Sequence, residues 1–269
     1  MYRKNIQIHS FHLVDPSPWP LISAFSAFML TFGGVLYMHS YFNGSFLWRF
    51  GFFMIVYMML CWWRDIIREG TIEGQHTKTV QKGLSFGVLL FIVSEVMFFF
   101  AFFWAFFHSS FNPSINIGGV WPPIFLVTLS PWQIPLLNTI ILLSSGASVT
   151  WSHHAILWGN KKEAIFGLQI TIGLAIFFTV LQVFDYLTAG FTISDGIYGS
   201  TFYMATGFHG FHVFIGTCFL TISLCRLLLN HFTVNHHIGF EAAAWYWHFV
   251  DLVWLLLYVA LYWWGSTVI

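Results

Sequence analysis

The 269 residues are 58% hydrophobic, 21% aromatic and only 7% charged, whereas a soluble domain is about a quarter charged. Too few polar side chains remain to cover a water-facing surface, so the composition excludes a soluble globular protein and indicates one embedded in a lipid bilayer. Ten Lys and Arg balance ten Asp and Glu, which leaves no basic surface for a nucleic-acid backbone.

Seven apolar windows are each long enough for a helix to cross a bilayer, which takes about 20 residues. They predict an all-α, polytopic membrane protein that forms a single domain over residues 1–269. An odd number of crossings places the two termini on opposite sides of the membrane. The windows cover roughly residues 19–38, 44–63, 84–107, 134–157, 164–187, 200–229 and 242–264.

Lysine and arginine residues gather in the loops of one side, which is the side from which a membrane chain is inserted. The opposite loops, 108–133 and 188–199, contain no Lys or Arg, and only Arg49 lies on that face. We therefore expect the N-terminus in the matrix or cytoplasm, the C-terminus outside, and a folded, proline-stiffened outer loop at 108–133. The Lys and Arg residues expected on the inner side are Arg3, Lys4, Arg64, Arg68, Lys78, Lys82, Lys161, Lys162 and Arg226.

Glu95 stands inside the third predicted helix, eleven residues after Leu84 and therefore about 16 Å further along the helix axis. An ionised carboxylate near mid-bilayer is costly, so we expect a neutral acid or one hydrogen-bonded to a helix neighbour or water. A structural or lipid-contacting acid and a proton-handling acid are both consistent with this position. The side chains expected around its face and on the next turns are Phe98, Phe99, Phe102 and Phe106.

His209 and His212 are three residues apart on the sixth predicted helix, where they share a face. Such a pair could ligate a metal or orient a haem, but a copper site would need further ligands from other helices. Cys61, Cys218 and Cys225 lie inside apolar runs without metal-binding spacing, so we expect interhelical hydrogen bonds and no metal in this chain. Two pairs expected to meet headgroups or water at inner helix ends are His153-His154 and His236-His237.

The seventh predicted helix carries Glu241, His248 and Asp251. His248 and Asp251 are able to pair on one face, and Glu241 is placed for an ion pair with Arg226 at the inner boundary. Asp185, near the outer end of the fifth predicted helix, is expected at the membrane boundary rather than buried. Taken alone, these residues indicate a polytopic protein with buried acids and histidines, without a phosphate loop or a nucleophile elbow.

Several long strings of the sequence resemble the cytochrome c oxidase subunit III family, and together they span essentially the whole chain. The strings correspond to the family's N-terminus, an inner loop, and its third, sixth and last helices. They are His9 with Pro16–Pro20 (PSPWP), Trp62–Glu69 (WWRDIIRE), Ser94–Phe100 (SEVMFFF), Phe103–Ser110 (FWAFFHSS), Gly207–Val213 (GFHGFHV), Phe240–Asp251 (FEAAAWYWHFVD) and Tyr262–Ser266 (YWWGS).

The resemblance implies a subunit of the mitochondrial inner-membrane enzyme that transfers electrons from cytochrome c to oxygen and pumps protons. In that family subunit III holds no redox centre, because haem a and copper lie in partner subunits. The chain is then expected to pack against subunits I and II and accessory subunits. It is also expected to bind phospholipids, including cardiolipin-type lipids, in a cleft between helices 1–2 and helices 3–7, and to support assembly, proton uptake and turnover stability.

Carried over residue by residue, Glu95 matches the family's buried acid of helix 3, while Trp63, Arg64 and Arg226 match contacts to lipid headgroups. The N-terminus would face the matrix and the C-terminus the intermembrane space. Two alternatives are a haem-binding electron carrier and a free-standing seven-helix proton channel or transporter. The relay of such a channel would consist of Glu95, His209, His212 and Asp251.

Overall fold

The computed structural model describes residues 9–266, and over that range the chain forms seven membrane-length helices. Each is 20 to 34 residues long and apolar enough to cross a bilayer, which confirms the predicted all-α architecture. Arg3 and Lys4, used above to predict orientation, lie outside the described residues. The helices are α1 (Trp19–Met38), α2 (Gly44–Thr71), α3 (Lys78–Phe111), α4 (Ile134–Leu157), α5 (Lys161–Thr188), α6 (Ile197–Leu228) and α7 (Ile238–Leu257).

The predicted windows for α1 and α4 agree with the structure at both ends, whereas α2 and α3 are longer than predicted. Their extra turns, Arg64–Thr71 and Lys78–Gly83, carry polar side chains at the end of each apolar run. Hydrophobicity marks only the part of a helix that meets hydrocarbon, so these turns lie beyond the apolar window. At the other end of the chain, α7 continues into a π-helical turn, Tyr258–Trp263, and a 3-10 turn, Trp264–Ser266.

The chain divides into two compact units, Met1–Leu84 and Ser85–Ile269. In the first unit, glycines bring the backbones of α1 and α2 into direct contact. A Cβ atom on Gly33 would lie 2.5 Å from the backbone nitrogen of Trp48, and one on Gly51 would lie 2.5 Å from that of Leu30. Lipid gives helices no hydrophobic reason to associate, so close backbone contact through small residues is what holds such a pair together.

In the second unit, α7 is the most deeply buried helix and packs between α4 and α6. Trp247 and Trp254 are fully buried. Each indole nitrogen donates a hydrogen bond to a hydroxyl of α4: Trp247 to Ser145 Oγ at 2.9 Å and Trp254 to Thr139 Oγ1 at 3.0 Å. A buried tryptophan with its N–H satisfied contributes a large packing area without an unpaired donor.

The loop between α3 and α4 packs back onto the helices of the second unit. Its Trp121 is fully buried, and the indole ring lies 5.4 Å from the ring of Phe106 and 5.3 Å from that of Tyr198. Pro122 and Pro123 are buried beside it. The segment is therefore folded, although it begins only after α3 ends at Phe111 rather than at His108.

The close contact in the first unit predicts different outcomes for two neighbouring glycines. Gly33→Ala should lower the free energy of unfolding by about 1–3 kcal/mol, because the new methyl group meets backbone that must move. Gly34→Ala is the matched control, since its Cβ would lie 3.4 Å from the Trp48 side chain, an ordinary contact. Denaturant titration of the purified protein in detergent micelles measures both. Equal effects at the two positions would contradict the proposed backbone contact.

Candidate functional site

Glu95 of α3 makes a short hydrogen bond across the second unit to His212 of α6. Glu95 Oε2 lies 2.7 Å from His212 Nε2, and the two side chains are 22% and 10% exposed. The partner is 117 residues away in the sequence and belongs to another helix. The sequence predicted a hydrogen-bonded acid as one possibility but did not identify this histidine.

The other ring nitrogen of His212 fixes how protons are arranged in this pair. Nδ1 lies 2.6 Å from the carbonyl oxygen of Phe208, and a carbonyl can only accept, so Nδ1 carries a hydrogen. Nε2 and the Glu95 carboxyl then share a single proton. Whether that proton rests on the acid or on the imidazole, the pair is neutral overall, which avoids the cost of an isolated charge in the membrane.

Phenylalanines lie beside the Glu95–His212 pair and on the next turns of α3, as the spacing on that helix predicted. The ring centroid of Phe99 is 4.9 Å from that of His212, and Phe98 and Phe102 each lie 5.0 Å from Phe208. Phe106 instead packs against Trp121, because it is three turns further along the helix. The polar pair is thus enclosed by aromatic rings on the protein side.

His209 does not act together with His212, although the two residues are one turn apart. Its Nε2 lies 3.2 Å from the carbonyl oxygen of Val250 in α7, and its ring packs against Trp254 and Phe178. The side chain is 1% exposed. The two histidines therefore bond to different helices, His209 to α7 and His212 to α3, and their ring nitrogens do not converge on a shared metal position.

The predicted pairing of His248 with Asp251 is wrong: no ion pair joins them within residues 9–266. They do share a face, since a Cβ on Gly146 of α4 would lie 3.2 Å from Asp251 Oδ2 and 3.7 Å from His248 Nδ1. His248 Nε2 instead lies 3.3 Å from the hydroxyl of Thr150. Asp251 Oδ1 is buried without a hydrogen-bond partner among the described residues.

The predicted ion pair between Arg226 and Glu241 is also absent from the described part of the chain. The guanidinium of Arg226 lies over the ring of Phe232, 4.5 Å from its centroid, a cation–π contact. Glu241 Oε1 lies 3.2 Å from His237 Nε2, and that histidine in turn approaches His153 of α4. Phe232 lies in the loop between α6 and α7, where helical spacing gives no signal, whereas the four-residue spacing of His237 and Glu241 was a signal for their pairing.

Asp185, predicted to lie at the membrane boundary, is buried at 2% exposure. Its Oδ2 has no hydrogen-bond partner in the part of the chain that the structure describes, and it lines a cavity of about 270 Å³ together with Gln133 and Thr188. Residues before α4 cover this end of α5, so position near a helix end did not mean exposure. Gln182, one turn earlier on α5, is a second buried polar residue and was the available signal that this face is covered.

Trp63 and Arg64, at the polar end of α2, present exposed side chains. Trp63 is 45% exposed. The Arg64 side chain is 68% exposed, and its Nε and Nη2 donate to Asp65 Oδ1 at 2.9 and 2.8 Å. Asp65 Oδ2 accepts a further bond from Trp19 Nε1 at 2.7 Å. Asp65 thus holds the guanidinium at the helix end while leaving further N–H groups to face an external acceptor.

The chain is similar to known proteins over nearly its whole length. Residues 9–266 match the family model described as cytochrome c oxidase subunit III. Curated proteins named cytochrome c oxidase subunit 3 are similar: that of Pylaiella littoralis is 64% identical over 98% of this chain and 97% of the relative. Those of Prototheca wickerhamii and Arabidopsis thaliana are 65% and 62% identical, covering 96% and 97% of this chain and 99% and 98% of the relative.

The shared proton predicts how Glu95 reacts with a hydrophobic carbodiimide, a reagent that requires a protonated carboxyl. His212→Leu removes the other holder of the proton, so the neutral acid becomes much the cheaper state and labelling should be at least as fast as in the parent. Glu95→Gln should abolish labelling at this position, as mass spectrometry of the peptide would show. Slower labelling of Glu95 in His212→Leu than in the parent would contradict a proton shared with this histidine.

Proposed function

This chain belongs to the cytochrome c oxidase subunit III family, and we propose that it serves the oxidase as a membrane subunit without a redox centre. As a family member it is a subunit of cytochrome c oxidase, the terminal respiratory complex that reduces oxygen with electrons from cytochrome c and pumps protons. The haem and copper of that complex sit in other subunits. In our proposal this chain supports assembly, lipid binding, proton uptake and stability over many turnovers.

The observation that supports a role without redox chemistry is the bonding of the histidines inside α6 and α7. His209 reaches a carbonyl of α7, His212 reaches Glu95 of α3, and His248 reaches a hydroxyl of α4. Each imidazole is used to connect two helices rather than to meet other imidazoles, whereas a haem or copper centre needs ligands that converge.

A free-standing proton channel is not favoured. The relay it requires is interrupted, because His209 bonds to the backbone of Val250 and Asp251 Oδ1 has no hydrogen-bond partner among the described residues. The Glu95–His212 pair therefore does not continue through side chains toward Asp251. An isolated pair suits a structural contact more than a conduction path.

As part of a multi-subunit complex in the inner membrane, the chain has extensive apolar surface for neighbours. An open groove of about 1250 Å³ in the second unit is lined by aromatic and aliphatic side chains of α3 and the end of α7, including Phe100, Trp104, Phe107, Leu256 and Trp263. This lining supports our proposal that acyl chains of phospholipids, cardiolipin-type lipids among them, and helices of subunits I and II cover the exposed faces.

Glu95→Gln tests the supporting role against an obligatory proton-carrying one. The amide keeps the shape of the neutral acid and can still donate to His212 Nε2, so the complex should assemble, consume oxygen and pump with a proton-to-electron ratio close to that of the parent. Any loss should appear as faster inactivation during sustained turnover. Proton pulses in sealed vesicles measure the ratio, with Glu163→Gln, an acid at the start of α5, as control. A ratio far below the parent's with normal assembly would refute the proposal.

Lipid binding should depend on Arg64 and Arg226, whose guanidinium groups can form paired hydrogen bonds to a phosphate. Native mass spectrometry of the complex should show fewer bound phospholipids in Arg64→Lys, because an ammonium cannot reproduce the fork, and in Arg226→Ala. Arg49→Lys is the control, since Arg49 lies near the start of α2, at the opposite end of the helix from Arg64. Lipid counts unchanged from the parent would overturn the assignment.

We propose that the loop between α2 and α3 faces the matrix, because the cationic residues concentrate on that side. A cysteine at Glu73, an exposed position of this loop, should react with an impermeant maleimide only in inverted inner-membrane vesicles. A cysteine at Ser194, exposed in the loop between α5 and α6, should react only from the intermembrane-space side. The reverse pattern would show that the orientation is inverted.

A further inference from the structure

Three metal-binding side chains converge where α4 ends and α7 begins. His153 lies in the last turns of α4, His237 immediately precedes α7, and Glu241 lies in the first turn of α7. One ligand atom from each lies within 4.8 Å of the other two. All three belong to the second unit, and none takes part in the Glu95–His212 pair.

The ligand atoms lie at short distances from one another, and His237 Nε2 and the Glu241 carboxylate each present a lone pair. His153 Nε2 lies 3.4 Å from His237 Nε2, and His237 Nε2 lies 3.2 Å from Glu241 Oε1. His237 Nδ1 lies 2.9 Å from the carbonyl oxygen of Thr233, so Nδ1 carries a hydrogen and Nε2 of the neutral ring presents a lone pair. That lone pair faces a carboxylate oxygen and lies beside a second imidazole nitrogen, so a cation placed among them would be attracted by at least two electron-rich atoms.

These distances match the edges of a zinc tetrahedron. Zinc bonds to imidazole nitrogen and carboxylate oxygen at about 2.0–2.2 Å, which at the tetrahedral angle places neighbouring ligand atoms about 3.3–3.6 Å apart. The observed separations of 3.4 and 3.2 Å therefore match two edges, and the ligand atoms of His153 and Glu241, which define the third, lie within 4.8 Å of each other. Two imidazoles and one carboxylate are also a ligand set that zinc commonly takes in proteins.

We propose that His153, His237 and Glu241 bind a zinc ion, with the fourth position left to water or an external ligand. The Glu241 side chain is 32% exposed and His237 only 5%, so one side of the site is open and the other is buried. The ion would connect the end of α4 to the start of α7. This departs from the expectation, drawn from sequence alone, that the chain binds no metal.

The surrounding loop already holds His237 in position. Thr233 and His236 exchange two backbone hydrogen bonds of 3.2 Å, forming a tight turn, and the bond from His237 Nδ1 to Thr233 fixes the ring from behind. Such a contact from the non-ligating nitrogen orients a metal-bound histidine and selects its tautomer. The ring of His153 is placed from the other side by Phe240, at a centroid distance of 5.7 Å.

Anomalous diffraction from crystals of the oxidase complex equilibrated with zinc tests the site directly. We expect a peak at the zinc edge about 2 Å from the Nε2 atoms of His153 and His237 and from a Glu241 oxygen. The absence of a peak among these atoms would overturn the proposal. His237 would then bond directly to Glu241 through a shared proton.

Variants of the assembled complex provide a second, independent measurement. Zinc bound per haem is determined after equilibrium dialysis for the parent, His237→Gln, Glu241→Gln and the control His154→Gln, which changes the histidine next to His153. Loss of a ligand should weaken binding at this site by at least about tenfold, since loss of an outer-shell partner alone costs about 10–100-fold. If His237→Gln fails to assemble, as its haem spectrum would show, Glu241→Gln decides. Equal zinc binding in the parent and in Glu241→Gln would refute the site.

Discussion

Hydrocarbon offers no hydrogen bonds, so a polar side chain that enters a membrane helix must find its partner within the protein or its complex. The Glu95–His212 pair is the clearest case in this chain. An acid and an imidazole from two helices share one proton and remain neutral together, and aromatic rings enclose them. The same constraint places the N–H groups of Trp247 and Trp254 on hydroxyls of α4. Polar groups thereby specify which helix faces meet, which apolar packing alone does not.

Glycines determine how closely neighbouring helices approach one another in both units. In the first unit, Gly33 and Gly51 allow α1 and α2 to touch backbone to backbone. In the second, Gly216 makes room for the ring of Trp247, since a Cβ there would lie 2.9 Å from Trp247 Cε3. Each of these contacts orders neighbouring helices through close packing at a glycine.

Helix positions were predictable because hydrophobicity records contact with lipid along each helix. Interhelical partners were not, because spacing within one helix relates only residues three or four apart. Glu95 and His212 are separated by 117 residues and His153 and His237 by 84. His248 and Asp251 share the predicted face, yet they do not pair, and His248 instead lies 3.3 Å from the hydroxyl of Thr150 on α4. Arg226 rests on Phe232 rather than on Glu241 because the loop after α6 folds back over the helix end.

A double-mutant cycle on Glu95→Leu and His212→Leu, followed by denaturant unfolding of the chain in micelles, measures the pairing most directly. Each single variant leaves one polar group unpaired. The sum of the two single-variant losses in unfolding free energy should therefore exceed the loss in the double variant. The expected coupling is about 1–3 kcal/mol. Additive effects, within about 0.5 kcal/mol, would show that the two side chains do not stabilise each other.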